Sequence, residues 1–99
     1  MLNRSRTEIV REIIETVNDF EGNGDGNGIT LTRLMDEVKL SSTQLKEYLV
    51  LLTAHRFLIK PKMRRYYVTE KGQRFLEIYY KLSEMISDEE VEVAQKRKI

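Results

Sequence analysis

Residues 41–72, SSTQLKEYLVLLTAHRFLIKPKMRRYYVTEKG, decide the fold of this chain. Ser41 and Gln44 form a capping box, in which each side chain bonds the backbone N–H of the other at the start of a helix. The apolar positions that follow recur at helical spacing. They predict a helix over about 42–55 that buries Leu45, Tyr48, Leu49 and Leu52.

Two strands are predicted directly after this helix. Phe57–Lys60 and Arg65–Thr69 are rich in aromatic and branched residues, and the loop between them holds Pro61, the only proline of the chain. Strand alternation puts Tyr66 and Val68 on one face of the hairpin, and Arg65 and Tyr67 on the other. Thr69 then caps a last helix that starts at Glu70 and runs towards the C-terminus.

The residues upstream predict two more helices. Ser5 and Glu8 form a capping box before an apolar stripe that we expect to end near Asp19, made of Ile9, Val10, Ile13, Ile14 and Val17. Ile29 fits one short strand pairing. A second helix is predicted at about 32–38, with Leu34, Met35 and Val38 facing inward. The predicted order is helix, short strand, helix, helix, hairpin and long helix.

The stretch Glu21–Thr30, EGNGDGNGIT, alternates glycine with oxygen-bearing side chains, as calcium-binding loops do. An EF-hand loop has glycine at position 6 and a bidentate Glu at position 12. If Gly26 is position 6, position 12 is Thr32; if Gly28 is position 6, position 12 is Leu34. Neither alignment supplies the closing carboxylate. We therefore expect a flexible connection, with weak cation binding as the alternative.

Composition excludes several classes of function. A chain of 99 residues forms one domain, and without cysteine it has no disulfide, thiolate ligand or cysteine nucleophile. His55, the single histidine, has no evident Asp or Ser partner. We expect no enzyme, no catalytic residue, no metal and no cofactor, and no small-molecule substrate is evident. Neither a membrane-spanning run nor a signal peptide is recognisable, so we expect a cytoplasmic protein.

Charge is concentrated in one short part of the sequence. The whole chain has a net charge of +1, but residues 55–74 hold seven cationic side chains against the single acid Glu70, a balance of +6. The seven are Arg56, Lys60, Lys62, Arg64, Arg65, Lys71 and Arg74. This excess predicts a surface that faces a polyanion; the alternative is a solvated hairpin that is merely basic.

Two helices joined by a tight turn and followed by a hairpin form a winged helix-turn-helix, which is mainly α with a small β-hairpin. In that arrangement the third helix enters the major groove of double-stranded DNA. Its first half would present Ser42, Thr43, Gln44 and Lys46 to base edges, beside Glu47. The hairpin, or wing, would add phosphate contacts from Lys60, Lys62, Arg64 and Arg65, and the second helix would add Arg33. The DNA-binding domain is thus expected at 1–69.

The last helix, residues 70–99, is expected to form a dimer. Its apolar residues follow four-three spacing, and 25 residues of helix span roughly 37 Å, a length that is rarely stable alone. The expected interface residues are Phe75, Tyr79, Leu82, Met85 and Ile86. Because cations lie early in this helix and acids late, pairing in an antiparallel coiled coil is favoured. As an alternative, a second capping box at Ser87 and Glu90 would break the helix.

Four stretches resemble the 10a-type archaeal winged-helix DNA-binding proteins, which are associated with chromatin: SRTEIVREIIETV, GITLTRLM, LKEYLVLLTAHRFL and YYVTEKGQRFLEIY. The resemblance implies DNA binding by Lys46, Arg64 and Arg65, and an antiparallel homodimer through Tyr79, Leu82 and Ile86. It also implies a chromosome-associated protein. The sequence departs from the family at the turn after the third helix, where glycine is common. If this turn has a left-handed residue, Arg56 occupies it at a cost of about 1 kcal/mol.

Three functions therefore remain open at this point. The first is DNA binding: a chromatin protein would bind all duplexes alike, whereas a transcriptional regulator would prefer one sequence. The second is protein docking, because a winged helix can also be a protein-docking module that does not bind DNA. A ligand-responsive repressor is the third possibility, although the sequence has no pocket signature.

Overall fold

A computed structural model describes residues 4–23, 28–61 and 64–97 of the chain. Its elements follow the predicted order, and the mainly helical class with a small antiparallel sheet is confirmed. The bounds are α1 Arg6–Asn23, β1 Ile29–Thr30, α2 Leu31–Val38, α3 Ser42–Ala54, β2 Leu58–Ile59, β3 Arg65–Val68 and α4 Glu70–Arg97.

The helices begin where the capping residues predict. The Ser5 N–H donates to Glu8 Oε1 at 2.8 Å, and the Glu8 N–H donates to Ser5 Oγ at 3.1 Å. The second capping box joins Ser41 and Gln44 in the same way. Side-chain capping thus satisfies backbone groups that a helix start leaves without partners, and it fixes the first residue of both α1 and α3.

The sheet has the strand order β1-β3-β2, and both pairings are antiparallel. In the register, Ile29 pairs with Tyr66 and Leu58 pairs with Val68. Tyr66 is buried, as its position in the alternation predicts. Strand β2 is shorter than expected, because the N–H of Phe57 donates to the carbonyl of Leu52 at 2.9 Å and still belongs to the turn after α3.

One core joins all four helices to the sheet. The buried apolar residues are Ile13, Ile14, Val17, Ile29, Leu34, Val38, Leu45, Leu49, Leu52, Leu58, Tyr66 and Leu76. The predicted inward faces of α1, α2 and α3 all contribute to it, with Tyr48 and Met35 half-buried at its edge. Burial of this face holds α3 in place and leaves its opposite face in solvent.

Helix α1 is longer than the sequence predicts, since it continues beyond Asp19 to Asn23. The extra turn has two contacts that stabilise it. Phe20 packs against the core, and the carboxylate of Glu21 accepts the N–H of Val68 on β3 at 2.6 Å. Residues 24–27 of the glycine-rich stretch lie outside the described residues, so the expected flexible connection there stays a prediction.

The Thr-Glu-Lys-Gly segment at 69–72 joins the wing to α4. Thr69 donates its hydroxyl to the carbonyl of Arg56 at 2.6 Å and accepts the N–H of Gly72 at 3.0 Å. Lys71 donates to the carbonyl of His55 at 2.8 Å. A Cβ on Gly72 would lie 2.7 Å from Val68 Cγ1 and closer still to the carbonyl oxygen of Phe57. Only glycine lets α4 approach the turn after α3 this closely.

Helix α4 is continuous past Ser87 to Arg97, so the alternative of a break at Ser87 is wrong. Its first turns pack on the domain, where Leu76 is buried in the core. The division of the chain into a DNA-binding part, 1–69, and a dimerisation part, 70–99, therefore concerns function, and it stays a prediction. No helix in the described ranges is long and apolar enough to span a bilayer.

Candidate nucleic-acid interface

The exposed face of α3 presents polar side chains along its first half. Thr43, Gln44, Lys46 and Glu47 are exposed, while Ser42 is half-buried. The Oε1 of Gln44 turns back to Ser41, whose Oγ lies 3.3 Å away. Helix capping therefore competes with any base contact made by Gln44, and Thr43, Lys46 and Glu47 are the better-placed groups.

A groove of about 540 Å³ separates α3 from the wing; we call it the wing groove. Lys46 of α3 and Lys60, which directly follows β2, both line it, above the aromatic ring of Tyr66. The Nζ of Lys60 lies 5.5 Å from the centroid of that ring. The fold thus brings together two predicted DNA-binding cations that are separated in sequence.

The two arginines of the wing differ in their surroundings. Arg64 is exposed, at a backbone φ of 55°. Arg65 is half-buried, and its Nη1 donates to the carbonyl of Gly28 at 3.3 Å. A phosphate contact would compete with this bond, so Arg64 is the more available of the pair. Lys62, also predicted to bind DNA, lies outside the described residues.

Arg33 on α2 is exposed but already has two neighbours. Its Nε lies 3.5 Å from a carboxylate oxygen of Glu37, one turn further along the helix. Its guanidinium carbon lies 5.8 Å from the ring centroid of Phe20. Because Glu37 partly balances its charge, we expect Arg33 to contribute less to phosphate binding than Lys60 or Arg64.

Three non-glycine residues in the described ranges have left-handed backbone angles, and all three are cationic: Lys39, Arg56 and Arg64. The prediction for Arg56 is confirmed, with φ at 65°. Lys39, in the turn between α2 and α3, and Arg64, in the wing, are further cases that the sequence did not predict. A left-handed residue other than glycine costs about 1 kcal/mol or more. All three side chains are exposed and add positive charge to the surface.

Sequence reasoning also missed Val50. The run Leu49–Leu52 looks like core, but the side chain of Val50 is 68% exposed. Its spacing of four from Lys46 and three from Glu47 could have indicated this, because those intervals keep residues on one helix face. Val50 therefore extends the presented face of α3 by one turn beyond the predicted residues.

The five predicted dimer residues fall into two groups. Leu82, Met85 and Ile86 are exposed by 52%, 60% and 49%, and Ile78 beside them by 58%. Phe75 is half-buried and packs edge-on against Phe57, with ring centroids 5.5 Å apart. Tyr79 is half-buried beneath the guanidinium of Arg11, 5.6 Å from the ring centroid. Among the residues of α4 whose side chains are described, the apolar surface available to a partner therefore lies mainly at positions 78–86.

A polar cluster fixes the direction in which α4 leaves the domain. Arg11 Nη1 lies 2.7 Å from Glu15 Oε1 on α1, and the hydroxyl of Tyr80 on α4 donates to the same carboxylate. Partial burial and the neighbouring carboxylate of Glu15 raise the pKa of Tyr80 to about 12. The hydroxyl is therefore neutral and remains a donor at physiological pH. In the described ranges, no group of three His, Asp or Glu residues is arranged to hold a metal ion.

Comparison with known proteins agrees with this architecture. A family model for winged helix-turn-helix domains matches residues 3–87, a range that reaches from the start of α1 to the middle of α4. No curated protein matches the sequence significantly.

Proposed function

We propose that this chain, which belongs to the winged helix-turn-helix family, binds double-stranded DNA through α3 and the wing. The observation that carries the proposal is the convergence of Lys46 and Lys60 on the wing groove, beside the exposed polar face of α3. The proposed role is non-enzymatic and uses no cofactor.

In this proposal the cations position the protein and α3 contacts the bases. Lys46, Lys60 and Arg64 bind phosphates, which supplies most of the affinity without reading the sequence. Thr43 reaches base edges at the start of α3, and Gln44 does so where it gives up its contact with Ser41. Glu47 repels phosphates and accepts a hydrogen bond from a cytosine amine. It therefore restricts the orientations that α3 can take in the major groove.

We further propose that two copies pair through α4. The helix has 28 residues, about 42 Å, and its middle exposes the four apolar residues described above. Pairing covers this stripe, and an antiparallel arrangement sets the early Lys81 against the late acids of the partner. The resemblance to the 10a-type archaeal proteins supports this dimer and a chromosome-associated location in the cytoplasm. It also favours a chromatin role, with transcriptional regulation as the alternative.

The test is fluorescence anisotropy of a random-sequence duplex of about 30 base pairs, titrated at several salt concentrations. The variant Lys60→Ala/Arg64→Ala removes two proposed phosphate contacts in each protomer. We expect it to flatten the dependence of log K on log salt by about 1.8 units per protomer. Arg74→Ala is the control, because it removes a cation from an exposed position on α4 that the proposal assigns neither to DNA nor to the dimer interface. A change in slope per removed charge that is the same for the two variants would reject a specific role for the wing.

A second candidate function is protein docking. Besides the wing groove, a groove of about 590 Å³ runs between the start of α1 and the opposite flank of α3; we call it the α1 groove, and it is lined by Arg6, Gln44, Glu47, Tyr48, Val50, Leu51 and Ala54. Its apolar side chains suit a peptide better than DNA. This function is favoured if the duplex binds more weakly than about 10⁻⁴ M at low salt and the wing variant behaves like the parent protein.

A further inference from the structure

We propose that Val50 reads the 5-methyl group of thymine in the major groove and so gives the protein a preference for thymine-containing sites. The inference rests on the proposed DNA binding and adds a specificity residue to it. Val50 is the one large apolar side chain exposed on α3, a helix that is described in full. Its position and chemistry both favour a contact with a base.

Val50 lies on the ridge that α3 forms between two grooves, and we call this position the crest. It lines the wing groove on one flank of α3 and the α1 groove on the other. Lys46 and Lys60 lie along the first groove, and Arg6 lies along the second together with the acid Glu47. When such a ridge enters a major groove about 12 Å wide, the two phosphate backbones lie along its flanks and the crest points at the bases. The cations are therefore placed for the backbones and Val50 for the base edges.

The chemistry of the crest selects one feature of DNA. Of the groups that the four bases display in the major groove, the thymine methyl is the apolar one, and the others are hydrogen-bond donors and acceptors. The isopropyl group of Val50 cannot donate or accept a hydrogen bond, but it can pack against a methyl group and remove it from water. A valine in a helix also keeps one strongly preferred χ1 rotamer, so little freedom is lost on contact.

Isolated exposed apolar residues are common on protein surfaces and often have no function. Two features distinguish Val50 from that background. It belongs to the same face as Lys46 and Glu47, one turn further along α3. It also lies between two grooves, one with the cations Lys46 and Lys60 and the other with Arg6, rather than on a flat solvated surface.

The experiment compares a thymine-containing duplex with the same duplex in which every thymine is replaced by uracil. This exchange removes the methyl groups and keeps the base pairing and the number of phosphates. We expect the uracil duplex to bind about fourfold more weakly for each methyl that contacts the helix. The salt slope stays the same for both duplexes, because the phosphate contacts are unchanged.

Val50→Ala is the test variant, since alanine is favourable in helices and the position is exposed, so the fold is retained. We expect its uracil-to-thymine ratio of Kd values to fall most of the way to one, because the shorter alanine side chain makes less contact with the thymine methyl. Ile59→Thr is the control: it removes an exposed apolar side chain from β2 and keeps a branched residue in the strand. Its ratio should equal that of the parent protein.

Each of the other possible outcomes contradicts one step of the inference. If the parent protein binds both duplexes tightly and equally, Val50 does not read thymine, although DNA binding stands. If Val50→Ala keeps the full ratio, the preference comes from another residue or from the duplex itself, and the inference is again wrong. If neither duplex binds at low salt, the proposed function fails before the inference is reached.

Discussion

The stability of the Gly72→Ala variant distinguishes the effect of helix propensity from the effect of packing at this position. Gly72 lies in the first turn of α4, and in an ordinary helix position alanine would stabilise the protein by about 1 kcal/mol relative to glycine. Propensity alone therefore predicts a more stable variant. The structure predicts the opposite, because Gly72 is buried against the turn after α3.

The size of the effect follows from the atoms that a Cβ would meet. One is Val68 Cγ1 at 2.7 Å, and the nearer one is the carbonyl oxygen of Phe57, a backbone atom that already accepts the N–H of Thr69 at 3.1 Å. Overpacking of this kind costs about 1–3 kcal/mol. Relief by moving α4 would weaken the Thr69 cap, at about 1 kcal/mol more. After the gain in propensity, we expect a net loss of about 2 kcal/mol.

Thermal unfolding, followed by circular dichroism, measures this loss. For a domain of this size, 2 kcal/mol corresponds to a decrease in Tm of about 8–16 °C. All samples must share one protein concentration, because dimerisation would shift Tm by mass action. Gln73→Ala, at the exposed neighbouring position, is the control and should stay within about 0.5 kcal/mol of the parent. A Gly72→Ala protein as stable as the parent, or more stable, would refute the packing argument.

Four further predictions concern other parts of the molecule. Arg56→Gly should be about 1 kcal/mol more stable to urea than Arg56→Ala, because only glycine relieves the left-handed backbone at φ 65°. The pKa of Tyr80 is raised to about 12, so the hydrogen bond of its neutral hydroxyl stabilises the fold fully below about pH 10, and this stabilisation is lost as pH rises from 10 to 12. In urea titrations over that pH window, the Tyr80→Phe variant should therefore lose less stability than the parent protein. Glu21→Ala should cost about 1–3 kcal/mol by leaving a β3 N–H without its acceptor, and Glu21→Gln should restore most of that loss. Leu82→Lys/Ile86→Lys should convert a dimer into a monomer in analytical ultracentrifugation, and an unchanged mass would contradict the proposed α4 interface.

The sequence predicted most of the fold because its signals are local. A capping box spans four residues, an apolar stripe repeats within one helix, and both depend on neighbours along the chain. Ser5, Ser41 and Thr69 therefore mark helix starts that the structure reproduces. The extra turn of α1 could not be predicted in this way, because Glu21 bonds Val68, which lies 47 residues further along the chain.

The candidate interface was predictable in outline but not in its pairings. Sequence patterns identify cations as a class, and they place Lys46 on a helix and Lys60 at the end of a strand. They cannot show that Arg65 bonds the carbonyl of Gly28 or that the guanidinium of Arg33 lies near the ring of Phe20 on α1, since both depend on how separate elements pack. Val50 was missed for the opposite reason. Its neighbours are apolar, and an apolar run conceals which of its members faces solvent.

The contacts at the base of the wing explain how a small hairpin can hold a defined position against α3. On one side, Glu21 bonds the N–H of Val68, beyond the two residues of β3 that pair with the short β1. On the other side, Thr69 and Lys71 bond the carbonyls of Arg56 and His55 at the end of α3. The wing is thus fixed to α1 and to α3 by side chains rather than by a long ladder of backbone bonds. Because these contacts hold the wing in place, we expect the position of Lys60 relative to Lys46 to depend on residues that would not themselves touch DNA.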